Sequence, residues 1–203
     1  MEQKIIHPDD IQDTRKAIAE AGQLFSTIEE RVQALRNLTC EGAPIFGEGI
    51  INWLEEHGYF TAPASTRYHG AYAGGLFDHS WQVAVELQNM TDKLGLHWER
   101  PISPWIIGIF HDLCKIDTYS FNRQEKVFQW DDKGIIRGHG IKSLVYALQL
   151  CDLTPEEQAC IVYHMGAFTP DKEWDSYTGA IHKYPNVLYI HTADMIADHV
   201  KGV

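Results

Sequence analysis

Six histidine and aspartate side chains could together bind metal ions. They form the pattern His79, His111, Asp112, His139, His164, Asp194 along the chain. His111 and Asp112 directly follow the apolar run 105–110, and ionisable groups seldom follow such a run unless a partner compensates for their desolvation. Imidazole and carboxylate ligands together suit Fe, Mn, Zn, Ni or Co rather than Ca. The pattern therefore predicts a transition-metal site, with Fe or Mn as the favoured metals.

The same residues suggest how many ions are bound. His79, His111, Asp112 and Asp194 are enough for one ion. His139 and His164 are enough for a second ion, with Asp112 bridging the two. Each residue also has a simpler interpretation, such as a carboxylate paired with a buried arginine for Asp194, or a helix-capping imidazole for His164. The joint pattern favours a metal site, and we expect two ions.

Two further side chains could act beside these ligands. Lys115 lies three residues after Asp112 and four after His111, on the same helical face if the helix continues. Its ammonium group could hold a phosphate oxygen beside the metal. His191 lies one turn before Asp194 and could orient that carboxylate.

Other polar residues are candidates for binding a substrate. Lys142 and Ser143 lie one helical turn beyond His139 and could reach the same ligand. Arg67 and His69 lie in a glycine-containing loop and have weaker claims. Together with Lys115, these residues form the predicted substrate-binding set.

Composition limits the classes of partner. The chain has 203 residues and a net charge of −11, with 44% hydrophobic residues, as in an ordinary globular protein. Because phosphate backbones are bound mainly by Lys and Arg, extensive nucleic-acid binding is not expected. The N-terminal residues lack an apolar signal core, and no apolar stretch reaches the ~18 residues that span a bilayer. We expect a cytoplasmic protein with four reduced cysteines and no membrane contact, and its oligomeric state stays open.

The spacing of apolar residues predicts an all-α fold. We expect helices over residues 9–39 (capped by Asp9 or Asp10), 44–58, 76–94, 104–112, 140–150, 154–166, and from Pro185 onward. The glycine- and proline-containing stretch 61–75 should be an irregular loop. Residues 1–60 are predicted to form a helical extension packed on a core domain of residues 61–203.

Two local signals refine this outline. Residues 127–130 and 135–136 flank a glycine-containing turn at 131–134, which predicts a small β-hairpin within 118–137. Thr154 and Glu157 have the spacing of a capping box, with proline at the first helical position. The second signal places a helix start at Thr154, with His164 in the last turn of that helix.

The motif residues resemble the HD-domain metalloprotein superfamily. The string His79…His111-Asp112…Asp194 matches its ligand pattern, and HDLCK at 111–115 is similar to its common HD-[IL]-G-K, with cysteine where glycine is usual. The additional His139 and His164 match the six-ligand subset of that superfamily. That subset includes dinuclear phosphodiesterases and di-iron oxygenases.

Four longer segments carry the resemblance further. YHGAYAGGLFDHSWQVA at 68–84 is similar to the HD domain of a bacterial 3′–5′ exoribonuclease. GHGIKS, LTPEEQACIVYHMGAF and YPNVLYIHTADMIA look like small stand-alone bacterial and phage-borne HD hydrolases. The resemblance implies an HD-domain helical bundle with a small hairpin insertion.

The resemblance also implies an activity. HD-superfamily hydrolases cleave phosphomonoesters or phosphodiesters with a metal-activated water. By analogy, Asp112 would anchor the metal and hold that water, and Lys115 would neutralise charge in the transition state. The expected substrate is a small phosphate ester such as a nucleotide. Two alternatives remain: a di-iron O₂-dependent oxygenase with the same ligands, and a non-catalytic metal-bearing nucleotide-binding module.

Overall fold

The computed structural model describes residues 23–203, which are mainly helical with two small antiparallel hairpins. The helices are α1 (Ile28–Asn37), α2 (Glu48–Glu56), α3 (Gly75–Leu94), α4 (Ser103–Phe110), α5 (His139–Ala147), α6 (Pro155–Val162), α7 (Trp174–Lys183) and α8 (Val187–Ile196). The hairpins pair β1 (Thr39–Cys40) with β2 (Ala43–Pro44) and β3 (Tyr119–Asn122) with β4 (Val127–Trp130). Short 3-10 turns lie at Leu113–Asp117, Gly166–Phe168 and Asp171–Glu173. The predicted helical class with a small β insertion is confirmed.

The chain divides into two compact units. The described part of the first comprises residues 23–79, 114–135 and 201–203, and the second comprises residues 80–113 and 136–200. Helix α3 begins in the first unit and its later residues belong to the second. The sequence-based domain boundary at residue 60 stays a prediction.

The first unit has an aromatic core. The ring of Phe77 lies 5.3 Å from that of Phe25, 6.0 Å from that of Tyr59 and 5.3 Å from that of Phe60. The contacts with Phe25 and Tyr59 are edge-to-face, an arrangement that the quadrupoles of aromatic rings favour. This cluster buries the beginning of α3.

A buried ion pair lies next to that core in the first unit. Arg31 Nε donates to Asp78 Oδ1 at 2.8 Å, and the Tyr72 hydroxyl donates to Asp78 Oδ2 at 2.9 Å. The backbone amide of Leu24 donates to the same oxygen at 3.2 Å. Burial and the Asp78 carboxylate raise the pKa of Tyr72, so its phenol stays protonated and remains a donor. Asp78 is therefore bonded to donors on both oxygens.

The core of the second unit is built from one face of each of several helices. Its fully or almost fully buried residues are Val83, Leu87, Ile107, Cys160, Tyr177, Val187, Ile190, Ala193 and Ala197. They come from α3, α4, α6, α7 and α8 and from the π-helical turn Ala197–Lys201 that follows α8. Burial of this much apolar surface is the main stabilising term for the unit.

Helices α5 and α6 approach each other very closely in the second unit. A Cβ at Gly140 would lie 2.0 Å from the carbonyl oxygen of Val162. Only a residue without a side chain allows this contact. The contact brings the first turn of α5 against the last turn of α6.

Within the described residues, the helices before residue 58 differ from the prediction. Of the predicted helix over 9–39, residues 9–22, with Asp9 and Asp10, lie outside the described part of the chain. Helix α1 begins only at Ile28, because Thr27 and Glu30 form a reciprocal capping box there. The prediction that Pro44 opens a helix is wrong: Pro44 lies in β2, and α2 begins at Glu48.

The predicted hairpin has the correct second strand but the wrong partner. Residues 127–130 form β4, but they pair with the preceding β3 and not with 135–136. The turn is 123–126, where Asn122 Oδ1 accepts from the amides of Gln124 and Glu125. Ile135 is 96% exposed and lies outside any strand.

The C-terminal helices follow the prediction with shifted ends. The capping box at Thr154 is confirmed, but α6 ends at Val162, so His164 lies beyond the helix and not in its last turn. Helix α5 begins at His139, one residue before the prediction, and α8 begins at Val187. Helix α7 was not expected. Among the described residues, no helix is long and apolar enough to cross a membrane.

Candidate metal centre

Five of the six predicted ligands belong to the second unit, and three of them surround the carboxylate of Asp112. His111 Nε2 lies 3.5 Å from Asp112 Oδ2. His139 Nδ1 and His164 Nε2 lie 3.5 Å and 3.6 Å from Asp112 Oδ1. His111 Nε2 also lies 3.9 Å from Asp194 Oδ1. The structure thus brings together His111, Asp112, His139, His164 and Asp194.

The two oxygens of Asp112 face different partners. Oδ2 faces His111, which also faces Asp194. We call Asp112, His111 and Asp194 the first ligand group. Oδ1 faces His139 and His164, which with Asp112 form the second ligand group. The carboxylate of Asp112 is common to both groups, and its role as a bridging ligand stays a prediction.

These separations fit coordination of an ion. Two ligand atoms about 2.1 Å from one ion, with a tetrahedral angle between them, lie roughly 3.4 Å apart. The nitrogen–oxygen distances of 3.5 to 3.6 Å around Asp112, and that of 3.9 Å between His111 and Asp194, are close to that value. Ligand atoms of His111 and Asp194, and those of Asp112 and His139, lie within 4.8 Å of each other. The centre therefore has residues that could hold a metal ion.

Backbone carbonyls orient two of the imidazoles. His111 Nδ1–H donates to the carbonyl of Gly108 at 2.8 Å, and His164 Nδ1–H donates to that of Ile161 at 2.7 Å. Each bond fixes the tautomer in which Nε2 carries the lone pair. In both rings Nε2 is the atom that faces Asp112. Both imidazoles are therefore held in a tautomer and an orientation that suit a metal ligand.

The remaining two residues of the centre are less buried. The side chains of His139 and Asp194 are 31% and 19% exposed, whereas those of His111 and His164 are almost fully buried. His139 is the first residue of α5 and presents Nδ1, not Nε2, to Asp112. The centre is therefore buried on the side of α4 and more open at α5 and α8.

The sixth predicted ligand, His79, belongs to the first unit. It is fully buried in the second turn of α3, and its Nδ1–H donates to the carbonyl of Val203 at 2.9 Å. Its ring lies 4.8 Å from that of His69. The bond to Val203 is of the kind that orients metal-binding imidazoles. Its role as a ligand stays a prediction.

The predicted substrate-binding residues lie in different places. Lys142 and Ser143 are buried on α5, in the same unit as the centre. Lys115 is also buried, but it belongs to the first unit and lies on a 3-10 turn, so the α-helix of His111 does not continue to it. Arg67 and His69 lie in the loop before α3, with Arg67 exposed and His69 half-buried.

The structure also shows contacts that the sequence did not indicate. His191 Nδ1–H donates to the carbonyl of His164 at 3.1 Å, whereas the sequence suggested that it orients Asp194. Asp78, which directly precedes His79, forms an ion pair with Arg31, 47 positions away in the chain. Neither contact has a local sequence signal, because each depends on the tertiary fold.

Comparisons with other proteins add no family to this description. No protein-family model matches the chain, and the searches of curated proteins and of solved structures also find no match.

Proposed function

We propose that the protein is a metal-dependent phosphohydrolase that acts on a small phosphate ester such as a nucleotide. The observation that supports this most directly is the Asp112 carboxylate, which faces imidazoles of both ligand groups with different oxygens. A bridging carboxylate between histidine ligands suits a pair of Fe or Mn ions. The HD-domain resemblance of the motif residues supports the same proposal and the helical-bundle fold that goes with it.

The predicted ligands have separate roles in this proposal. Ions bound in such a centre would lower the pKa of a bound water towards neutrality and polarise a phosphoryl oxygen. His111, Asp194 and Asp112 would hold one ion, with His79 as a further ligand, and His139 and His164 would complete the site of the other. The carboxylate of Asp112 also keeps the attacking water in place by accepting its hydrogen bond.

Two lysines supply positive charge for the substrate. Lys142 is 3% exposed and lies one turn beyond His139 on α5, so its ammonium can hold a phosphate oxygen away from bulk water. Lys115 is 8% exposed, and its ammonium group neutralises the negative charge that develops in the transition state. Ser143, next to Lys142, can donate a hydrogen bond to the ester.

The test combines metal analysis with turnover. Protein loaded with Mn or Fe is assayed on a panel of nucleotides and phosphodiesters, and its metal content is measured. We expect up to two ions per chain and phosphate release by the wild type. In Asp112→Ala we expect turnover about 1000-fold lower, since a bound ion supplies several kcal/mol of transition-state stabilisation. Asp175→Ala, which removes an exposed carboxylate on α7, is the matched control.

Other results would point elsewhere. Undiminished turnover in Asp112→Ala would refute the proposed function. Oxygen uptake by an iron-loaded sample would support the oxygenase alternative, and tight nucleotide binding without turnover would support a binding module. Unchanged metal content in His79→Ala would remove His79 from the ligand set.

A further inference from the structure

The imidazole of His191 joins α8 to the turn that follows α6, all within the second unit. Its Nδ1–H donates to the backbone carbonyl of His164 at 3.1 Å. His191 lies one turn before Asp194 on α8. The ring is therefore anchored on the helix that carries one ligand and bonded to the backbone of another.

Gly166 allows the ring to lie directly on the backbone of this turn. A Cβ at Gly166 would lie 2.2 Å from Cγ and 2.3 Å from Cδ2 of His191. Gly166 also has a φ of +51°, which side chains other than glycine adopt at a cost. The ring of Phe168 packs edge-on against the same imidazole, 6.1 Å away. Three contacts thus fix the position of the His191 ring.

His164 needs such support because it lies outside regular structure. Helix α6 ends at Val162, so the helical ladder does not hold the peptide of His164. The bond from its Nδ1–H to Ile161 fixes the rotation of its ring. The bond from His191 fixes its carbonyl, and with it the position from which the ring points to Asp112.

We propose that His191 is a positioning residue. It holds His164, a member of the second ligand group, in place relative to α8, which carries Asp194 of the first ligand group. This inference rests on the proposed function, because it takes His164 and Asp194 as metal ligands. It differs from the role the sequence suggested, since His191 acts through the backbone of His164. Removal of an outer hydrogen bond of this kind lowers metal affinity by about 10- to 100-fold in other metal sites.

The experiment measures Mn²⁺ binding to the full chain by electron paramagnetic resonance, without any substrate. His164→Ala first identifies which bound ion depends on the second ligand group. In His191→Leu, which fills the space but has no donor, we expect that ion to bind about 10- to 100-fold more weakly. In His191→Gln, whose amide can donate to the same carbonyl, we expect most of the affinity to return. His182→Leu, at an exposed position on α7, is the matched control and should bind as the wild type does.

A second variant keeps the test independent of the folding of His191→Leu. Gly166→Ala retains the imidazole but places a methyl group where the ring lies, so we expect the same ion to bind more weakly. Equal affinity for that ion in the wild type, Gly166→Ala and whichever His191 variant folds would overturn this inference alone. If His164→Ala binds every ion as the wild type does, His164 is not a ligand and the inference is also wrong. If the wild type binds no Mn²⁺, the same variants are compared with Fe²⁺, and if it binds neither ion, both the inference and the proposed function are wrong.

Discussion

Asp78 in the first unit and Asp112 in the second are both buried carboxylates, but their neighbours differ in kind and in distance. Asp78 lies 2.8 Å from the guanidinium of Arg31 and 2.9 Å from the hydroxyl of Tyr72. Around Asp112, the imidazole nitrogens of three histidines lie at 3.5 to 3.6 Å. The first arrangement closes at hydrogen-bond distance, whereas the second leaves the separation that two ligands of one ion require.

This difference separates a carboxylate that is neutralised within the protein from one that could bind a metal ion. A buried carboxylate bonded to an arginine is neutralised within the protein, and its loss leaves the arginine buried and uncompensated. A carboxylate surrounded by oriented imidazoles at longer distance suits a cation from solution. Four substitution experiments, in order of decreasing effect on stability, test this difference between Asp78 and Asp112.

The largest effect is expected at the closed ion pair of the first unit. Asp78→Ala leaves the guanidinium of Arg31 without its buried partner, so we expect the free energy of unfolding to fall by about 3 to 5 kcal/mol. Denaturant titration measures the change. The matched control is Glu48→Ala, which breaks the exposed pair with Arg36 and should change stability little. A loss in Asp78→Ala no greater than in this control would mean that the pair is not structural.

The second effect is expected only when metal is present. Mn²⁺ at about 100 times its dissociation constant should stabilise the wild type by about 2.7 kcal/mol, and a chelator should remove that gain. In Asp112→Ala we expect no gain, because the shared carboxylate is lost. Asp175→Ala should keep it. Thermal unfolding with and without Mn²⁺ measures the difference, and an equal gain in Asp112→Ala would contradict the contrast with Asp78.

The third change is in the backbone that orients His111. A Cβ at Gly108 would lie 2.4 to 2.6 Å from atoms of Ala84 on α3, so Gly108→Ala should destabilise by about 2 kcal/mol through overpacking. It should also weaken Mn²⁺ binding, because Gly108 accepts the bond from His111. Gly179→Ala, whose Cβ meets no atom within 4 Å, should instead raise stability by about 0.5 to 1 kcal/mol. Unchanged metal affinity in Gly108→Ala would show that its carbonyl does not position His111.

The smallest effect compares the same motif in both units. Thr27 and Thr154 each cap a helix through a reciprocal box with a glutamate three residues on. We expect Thr154→Ala to cost about 1 kcal/mol and Thr27→Ala about 0.5 kcal/mol, because the box of Thr154 uses the fully buried Glu157. Neither change should alter Mn²⁺ affinity. A larger loss in Thr27→Ala, measured by denaturant titration, would show that burial does not strengthen the cap.

Features that depend on neighbouring residues could be predicted from the sequence. The start of α6 at Thr154 follows from a hydroxyl, a proline and a glutamate within four residues. The buried helix α4 follows from the apolar run 105–110, although it ends at Phe110, two residues before the predicted end. In both cases the physical cause lies within one or two helical turns.

Features that depend on competition between segments could not be predicted from the sequence. The glycine-containing turn at 131–134 predicted the hairpin, but β4 pairs through the turn at 123–126. That turn is stabilised by the side chain of Asn122, and the chain leaves it through Lys126, which has a φ of +55°. The ends of α1 and α6 also shifted, because the apolar spacing of a helix continues past the point where its backbone bonds stop.

In the candidate metal centre, too, some features could be predicted from the sequence and others could not. The sequence identified which residues would converge, and five of them do so in the second unit. It did not indicate that His139 would use Nδ1 while His111 and His164 use Nε2, because ring orientation depends on backbone carbonyls. Nor did it indicate the bond from His191 to His164, which depends on how α8 packs against the turn after α6.

The close contact at Gly140 has a consequence for how this protein can evolve. Every amino acid other than glycine has a Cβ, and here that atom would lie 2.0 Å from the carbonyl oxygen of Val162. Residue 140 therefore has no neutral replacement, although it faces neither ion nor substrate in the proposed mechanism. Selection acting only on the folding of α5 against α6 would keep one residue at this position, immediately beside His139, in every descendant that retains these two helices.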